Sequence, residues 1–225
     1  MPKVAVIITI LDGNASYDSC LEECQKQIDA VASEGGRYSF SLFLNNEGPE
    51  GYQTVWKNAY DEGAELFFWI DHDLMLSDGA LASFLENSEF LRHKAVIAGT
   101  VSRTDRSLLF GGRGRRGRLI EPDPTIPVPC HYFDMSLVLV PAYAFNRLEN
   151  PSDFFRKSIL DYGYGPKVVK AGVARVVAPG IMAKTARRIE VPSWKDPGSS
   201  LKGKLSWLVH VALKMIRTNS NNNTK

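Results

Sequence analysis

Two carboxylates one residue apart, Asp71 and Asp73, have the types and spacing to do chemistry in this chain of 225 residues. They follow Leu66-Phe67-Phe68-Trp69-Ile70, five apolar residues in a row that read as a strand buried on both faces. In an open α/β sheet, ligands bind in the crevice beyond the carboxyl ends of the strands, which is where this pair would sit. Asp-x-Asp there suits a hard divalent cation. One carboxylate can ligate it while the other holds a water or a sugar hydroxyl, and positions remain for substrate phosphates. The plainer alternative is a solvated turn, since Asp is common where strands stop. The unbroken apolar run ahead of the pair favours a site.

The strand carrying the pair belongs to an alternating pattern. Residues 3–11 (KVAVIITIL) read as a first buried strand, ending at the turn residues Asp12-Gly13-Asn14. Cys20, Leu21, Cys24, Ile28 and Val31 recur at helical spacing and predict a helix over 18–33, stopped by Gly35-Gly36. Residues 38–44 (YSFSLFL) form the next strand and deliver Asn45-Asn46 into a loop; a helix over 52–62 then leads to the acidic strand. This βαβαβ opening predicts a single α/β domain with a doubly wound, mostly parallel sheet flanked by helices. No Gly-x-Gly-x-x-Gly follows the first strand, so the dinucleotide fingerprint is absent.

Further along, Ser77-Asp78-Gly79 predicts a local cap for a helix over 80–92. Strands are expected at 94–101, 135–140 and 173–177. Helices are expected at 141–148, from 153 to 159, and at 167–171 with Gly172 as the cap. The domain should span 1–195, followed by a linker and helix over 196–217 and a polar tail over 218–225.

Composition bounds the function. Hydrophobic residues at 44% and charged residues at 23% are ordinary for a soluble globular protein, and a net charge of +2 makes no whole-chain case for nucleic acid. Cys20, Cys24 and Cys130 are an odd number without metal-site spacing; Cys20 and Cys24, four apart on an expected helix face, read as two reduced core thiols, which points to a reducing, cytoplasmic setting. Residues 4–11 are too short and too β-branched for a membrane span or a signal sequence.

Two segments stand apart. Residues 103–118 hold Gly111-Gly112-Arg113-Gly114-Arg115-Arg116-Gly117-Arg118, too much glycine and arginine to pack a core, and predict a mobile loop. It could be a solvated loop, a lid whose guanidinium groups close over phosphates, or a short Gly-Arg segment for RNA. Leu201, Leu205, Leu208, Val209, Ala212, Leu213 and Ile216 alternate with lysines and arginine in a basic amphipathic pattern. That helix over 201–217 could pack on the domain, pair two subunits, or lie peripherally on the inner face of a membrane.

Taken together, these residues resemble the inverting glycosyltransferases of the GT-A fold, which process nucleotide-diphospho-sugars. The resemblance covers residues 3–179 and rests on several stations in order. The family's Val-Asp-Asn-Gly-Ser-x-Asp-Gly loop aligns on Leu44-Asn45-Asn46-Glu47-Gly48-Pro49-Glu50-Gly51, and its Arg-Asn pair falls on Lys57-Asn58. Its Asp-x-Asp falls on Asp71 and Asp73. Its Glu-Asp, with a later basic residue and Ala-Gly, falls on Leu160-Asp161, Lys167 and Ala171-Gly172. Asn45, Lys57 and Leu160 depart from the family's Asp, Arg and Glu. A histidine that many relatives carry after the last strand is missing at Ala183-Lys184, where Lys184 could offset diphosphate charge.

The resemblance implies transfer of a sugar to a hydroxyl on a glycan or lipid-linked acceptor, with inversion and with Mn²⁺ or Mg²⁺ as cofactor. Leu11, Asp12, Asn45, Lys57, Asp71 and Asp73 would bind the donor, with Asp73 and Asp71 at the metal. Inversion needs a base within reach of the acceptor hydroxyl. Asp161, which precedes a Gly-rich bend, is the candidate, with Asp134 and Asp153 next. A nucleotidyltransferase is a second enzyme reading, although 11–16 lacks the Gly-rich basic signature such enzymes carry after the first strand. A non-catalytic nucleotide-sugar or glycan-binding module is the third.

Overall fold

The computed structural model describes residues 1–11, 17–33, 35–156 and 163–186. Asp12, Leu160, Asp161 and the expected helix over 201–217 lie outside the described residues. In chain order, the elements run β1 (Lys3–Thr9), α1 (Asp18–Ser33), β2 (Ser39–Asn45), α2 (Tyr52–Asp61), β3 (Leu66–Asp71), β4 (Met75–Leu76), α3 (Ala80–Phe90) and β5 (Ala95–Arg103). Then come the short strands β6 (Leu108–Phe110), β7 (Gly112–Arg113), β8 (Val128–Pro129) and β9 (Tyr132–Phe133), followed by β10 (Leu137–Pro141), α4 (Ala142–Asn146), α5 (Pro166–Lys170) and β11 (Ala174–Thr185).

The main sheet runs β2-β1-β3-β10-β5-β11-β4. Strands β1, β2 and β3 are mutually parallel, β5 and β11 are parallel to each other, and β10 inserts antiparallel between β3 and β5. This is a mixed α/β fold with a largely parallel central sheet flanked by helices, as the alternating pattern predicts.

Both faces of the centre are buried, which is why the strands read as continuous apolar runs rather than alternating ones. On one face Val4, Val6, Ile8, Phe68 and Ile70 pack beneath α1 and α3, with Phe68 edge-on to Phe84 at 5.1 Å. On the other, Ala5, Ile7, Phe67 and Trp69 pack beneath α2 and α4, where Trp56 stacks on Phe145 at 4.6 Å.

Four expectations are corrected. First, residues 103–118, expected as a mobile loop that cannot pack a core, contribute β6 and β7. Gly112 is buried because β7 passes so close to the sheet that a Cβ would lie 2.4 Å from Val177 Cγ2 and 2.9 Å from Cys130 Cβ. Glycine is what lets this segment pack. Second, the segment expected to be helical from 153 is, in its described part, a 3₁₀ turn over Pro151–Phe155. Third, the last strand continues past 177 to Thr185. Ala178-Pro179-Gly180 looks like a stop, but the chain absorbs it in a bulge, with register shifts between Val177 and Ile181 and between Ile181 and Ala183.

Fourth, the first turn of α3 has no cap from its own sequence; Gly79 sits at the cap position with φ 69° and no side-chain bond. The buried Gln27 of α1 supplies it instead. Its Oε1 accepts from Leu81 N–H at 2.9 Å, and its Nε2 donates to Ser77 O at 3.0 Å and Glu23 Oε1 at 2.8 Å. A side chain from a different helix therefore does the work of an N-cap. Gln27→Leu, similar in size but without these bonds, leaves the Leu81 donor buried and unsatisfied. It should lower the free energy of unfolding in urea by about 1–3 kcal/mol. A loss below about 0.5 kcal/mol, the range of an ordinary surface substitution, would show the cap to be dispensable.

Candidate functional site

Parallel strands β1, β2, β3, β5 and β11 all end at one edge of the sheet, and β10, running the other way, begins there. That edge gathers Asn45, Leu11, the 71–73 turn, Ser136 and Thr185.

The turn after β3 is fixed on both sides. Asp71 N–H donates to Ser136 O at 2.8 Å, His72 N–H to Thr9 O at 2.9 Å, and Leu74 N–H back to Asp71 O at 3.1 Å. Asp71 is buried, and the Cys20 thiol lies 3.9 Å from its carbonyl. His72 Nδ1 accepts from Leu11 N–H at 3.3 Å, so the central residue of the acidic triplet holds the end of the first strand in place. Asp73 Oδ2 accepts from the buried Thr185 Oγ1 at 3.1 Å. Of the residues expected from the sequence, this edge unites Leu11, Asn45, Asp71 and Asp73.

Thr185 is a contact that the sequence did not disclose. It lies 112 residues from Asp73, on a strand that continues past an apparent stop. Position 184, where a relative's histidine was expected on a following segment, is on the strand itself, paired with Met75. Ala183 and Thr185 are buried and Lys184 is exposed, as the two-residue period of a strand requires. The residue that meets Asp73 is thus Thr185, and Lys184 faces the other way.

Asn45 is 1% exposed and holds its own turn. Its Nδ2 donates to Gly48 O at 2.6 Å and its Oδ1 accepts from Glu47 N–H at 3.3 Å. Gly51 completes the fit, since a Cβ there would lie 2.1 Å from Asn45 Oδ1. The two hydrogen bonds of Asn45 use one of its two amide hydrogens and one lone pair of its oxygen. Lys57 is exposed on α2 and pairs with Asp61, one turn along the same helix.

Two further carboxylates were candidates for a base. Asp134 stands where β10 approaches the site; its Oδ2 accepts from Gly111 N–H at 3.1 Å and meets Arg113 Nη2 at 3.3 Å. The chain re-enters the described residues beside it, with Tyr164 and Phe133 exchanging backbone bonds at 2.8 and 3.0 Å. Asp153 meets Lys167 Nζ at 3.3 Å and Arg156 Nη1 at 3.1 Å. Partial burial pushes its carboxyl up, but these two cations outweigh that and hold it below the ordinary carboxylate range. A carboxylate so held is a poor proton acceptor. The cysteines are free and buried. The Cys20 thiol is pushed up by its hydrogen bond with Cys24 and by burial, and Cys130 is pushed up to about 12, chiefly by burial, so neither is a nucleophile.

Among the described residues, no cluster of three or more His, Cys, Asp or Glu side chains could enclose a metal. The oxygen donors at the edge, Asp73 and Asp71, suit an ion that takes few protein ligands and leaves positions for phosphates and water. A cavity of about 580 Å³, lined by Tyr60, Glu65, Tyr143 and Asn146 among others, lies at the opposite edge and takes no part in this arrangement.

No family model and no curated protein matches the chain. Solved structures do. A197 from STIV aligns over 81% of this chain and 84% of its own, with TM-score 0.50 and 6% identity. GalNAc-T7, crystallised with UDP, GalNAc and Mn²⁺, aligns over 83% of this chain and 44% of its own, with TM-score 0.46 and 12% identity. The inositol-1-phosphate CTP transferase from T. maritima aligns over 82% and 89%, with TM-score 0.44 and 13% identity. At such identities the likeness is one of fold. No described helix is long and apolar enough to cross a membrane.

The arginine segment near this edge is held by specific contacts. Besides Asp134, Arg113 reaches Gly117 O through Nη1 at 3.1 Å, and Arg115 Nε donates to His131 Nε2 at 2.9 Å; Arg116 and Arg118 are exposed. Accepting that bond requires a neutral imidazole. Burial, then the Arg115 and Arg175 charges, hold His131 below its ordinary 6.5. The unfolded chain takes up this proton first, so the contribution of the contact is complete above pH 6.5 and is lost as the pH falls through the lowered value. Titration of the His131 ring by NMR should give a value under 6.5 that rises in Arg115→Ala. An ordinary value, unmoved by that substitution, would contradict the contact.

Proposed function

We propose that this chain is a glycosyltransferase that moves a sugar from a nucleotide-diphospho-sugar to an acceptor hydroxyl, with inversion. The observation that carries the reading is the acidic turn at the carboxyl end of β3, with Asp73 held by Thr185. The fold places this turn at the edge where such sheets bind ligands. Its support from the sequence is the ordered series of stations shared with inverting GT-A enzymes, of which Asp71 and Asp73 are the third.

In this reading the donor's nucleoside lies against Leu11 and the Asn45 turn, with Asp12 and Lys57 further contacts. A glycan or lipid-linked acceptor approaches from the 103–136 side. Asp73, with Asp71 beside it, would hold Mn²⁺ or Mg²⁺, which when bound supplies a Lewis acid for the leaving diphosphate. Thr185 fixes the orientation of the Asp73 carboxylate. Asp161 takes the proton from the acceptor hydroxyl as its oxygen bonds to the anomeric carbon. The bond from that carbon to the diphosphate breaks on the opposite face, and the nucleoside diphosphate leaves with the electron pair.

Calorimetry and single-turnover kinetics test these roles separately. Asp73→Ala should abolish the metal-dependent part of donor binding with the fold intact, and Asp71→Ala should weaken donor binding with less effect on the metal. Thr185→Val should lower Mn²⁺ affinity by roughly tenfold or more, as loss of a group that orients a ligand does. Donor affinity unchanged in Asp73→Ala would remove the metal assignment.

Asp161→Asn should keep donor affinity and slow transfer by roughly two to four orders of magnitude, the usual worth of a positioned base. Transfer at the native rate would place the base elsewhere, with Asp134 next. Release of pyrophosphate in place of nucleoside diphosphate would favour a nucleotidyltransferase, and binding without turnover a non-catalytic module.

A further inference from the structure

We propose that β2 is a dimerisation edge, where two copies of this chain join their sheets by antiparallel pairing of β2 with its symmetry mate. Strand β2 ends the sheet, and among the described residues nothing pairs with its outer side. Ser39 N–H donates inward to Pro2 O, and Asn45 O accepts inward from Ile10 N–H. Odd-numbered residues therefore spend their backbone groups on β1. By alternation, Phe40, Leu42 and Leu44 turn their N–H and C=O groups outward.

An outer strand of this kind is ordinarily blunted by charge, proline or a bulge. Residues 39–45 read SFSLFLN, with no charge and no proline. All seven pair with β1 without a register break, so there is no bulge either. Leu42 and Leu44 are 38% and 37% exposed, large apolar side chains on the same face of the strand as Phe40.

Chemistry at the flanks selects a second copy as the occupant and sets the register. With Leu42 on the two-fold axis, Leu42 faces the partner's Leu42 and Phe40 faces the partner's Leu44. The three outward-turned residues of each copy then exchange backbone bonds in the antiparallel pattern. The same register brings Arg37 to the end of the ribbon that carries the partner's Glu47. Arg37 donates to Glu89 through Nη1 alone, leaving the rest of its guanidinium to a second carboxylate. Glu47 is exposed and makes no ion pair among the described residues. A two-fold interface must be complementary to itself, and the order basic flank, apolar strand, acidic flank has that property.

Sedimentation equilibrium of the full chain should show a concentration-dependent rise from 25.0 kDa towards twice that mass. Hydrogen exchange should show the Phe40, Leu42 and Leu44 amides gaining protection with concentration, while Ser41 and Phe43 are protected throughout. Leu42→Lys puts two like charges on the axis and should leave a folded monomer, with circular dichroism confirming the fold. Glu47→Arg should weaken association, and adding Arg37→Glu should restore it. A chain that stays monomeric at the highest attainable concentration would overturn the proposal. So would a dimer unmoved by Leu42→Lys, whose contact would then lie elsewhere, such as the 201–217 segment.

Discussion

The arrangement of this molecule rests on β3 lying between a parallel neighbour and an antiparallel one. From β1, Thr9 O takes the His72 N–H; from the approach to β10, Ser136 O takes the Asp71 N–H. A strand bonded on one side alone would leave its last residues to fray. Bonding from both sides carries order past the sheet into the 71–74 turn, so that two carboxylates are presented by backbone as fixed as the core. The aromatic packing of Phe67, Phe68 and Trp69 on opposite faces serves the same end, since a register slip by one residue would exchange the faces of every side chain on the strand.

What could be read from the sequence follows from how locally each feature is determined. Runs such as VAVII and LFFWI identify strands because burial on both faces removes the need for alternation. The α1 stripe identifies a helix because Cys20, Cys24 and Ile28 must share a face. The Asp71-Asp73 pair was legible for the same reason, being a polar break directly after an apolar run. What was not legible depends on contacts between distant parts of the chain. Gln27 lies on the apolar stripe of α1, three residues after Cys24, and a polar residue there was the available hint of its bond to α3. Thr185 offered no such hint, because Pro179-Gly180 hides the continuation of its strand. Asn45 ends β2 at the same edge of the sheet, but spacing does not reveal that its amide is engaged with Gly48 and Glu47.

The arginine-rich segment shows how composition misleads when packing is governed by backbone. Glycine and arginine predict solvation, and Arg116 and Arg118 are indeed exposed. Gly112 nevertheless fits between Val177 and Cys130 because it has no side chain, and Arg113 is drawn in by Asp134. The salt bridge is partly screened from water, with the two side chains 23% and 19% exposed. This ties the segment to the start of β10 and so to the strand that clamps the acidic turn. Charge in this region is thus part of the frame of the site.

The antiparallel course of β10 has a consequence for how such a protein can diversify. Strand β5 ends and β10 begins at the same edge, and the two are neighbours in the sheet. Residues 104–136 therefore leave and return at neighbouring strand ends, on the side of the acidic turn. The entropic cost of closing a loop grows only slowly with its length. The exposed turns within this stretch, around 104–107 and 115–118, can be lengthened or trimmed while β6, β8 and the buried Phe133 keep their packing on the sheet. Evolution can thus retool what approaches the carboxylates, leaving the scaffold that holds them unchanged.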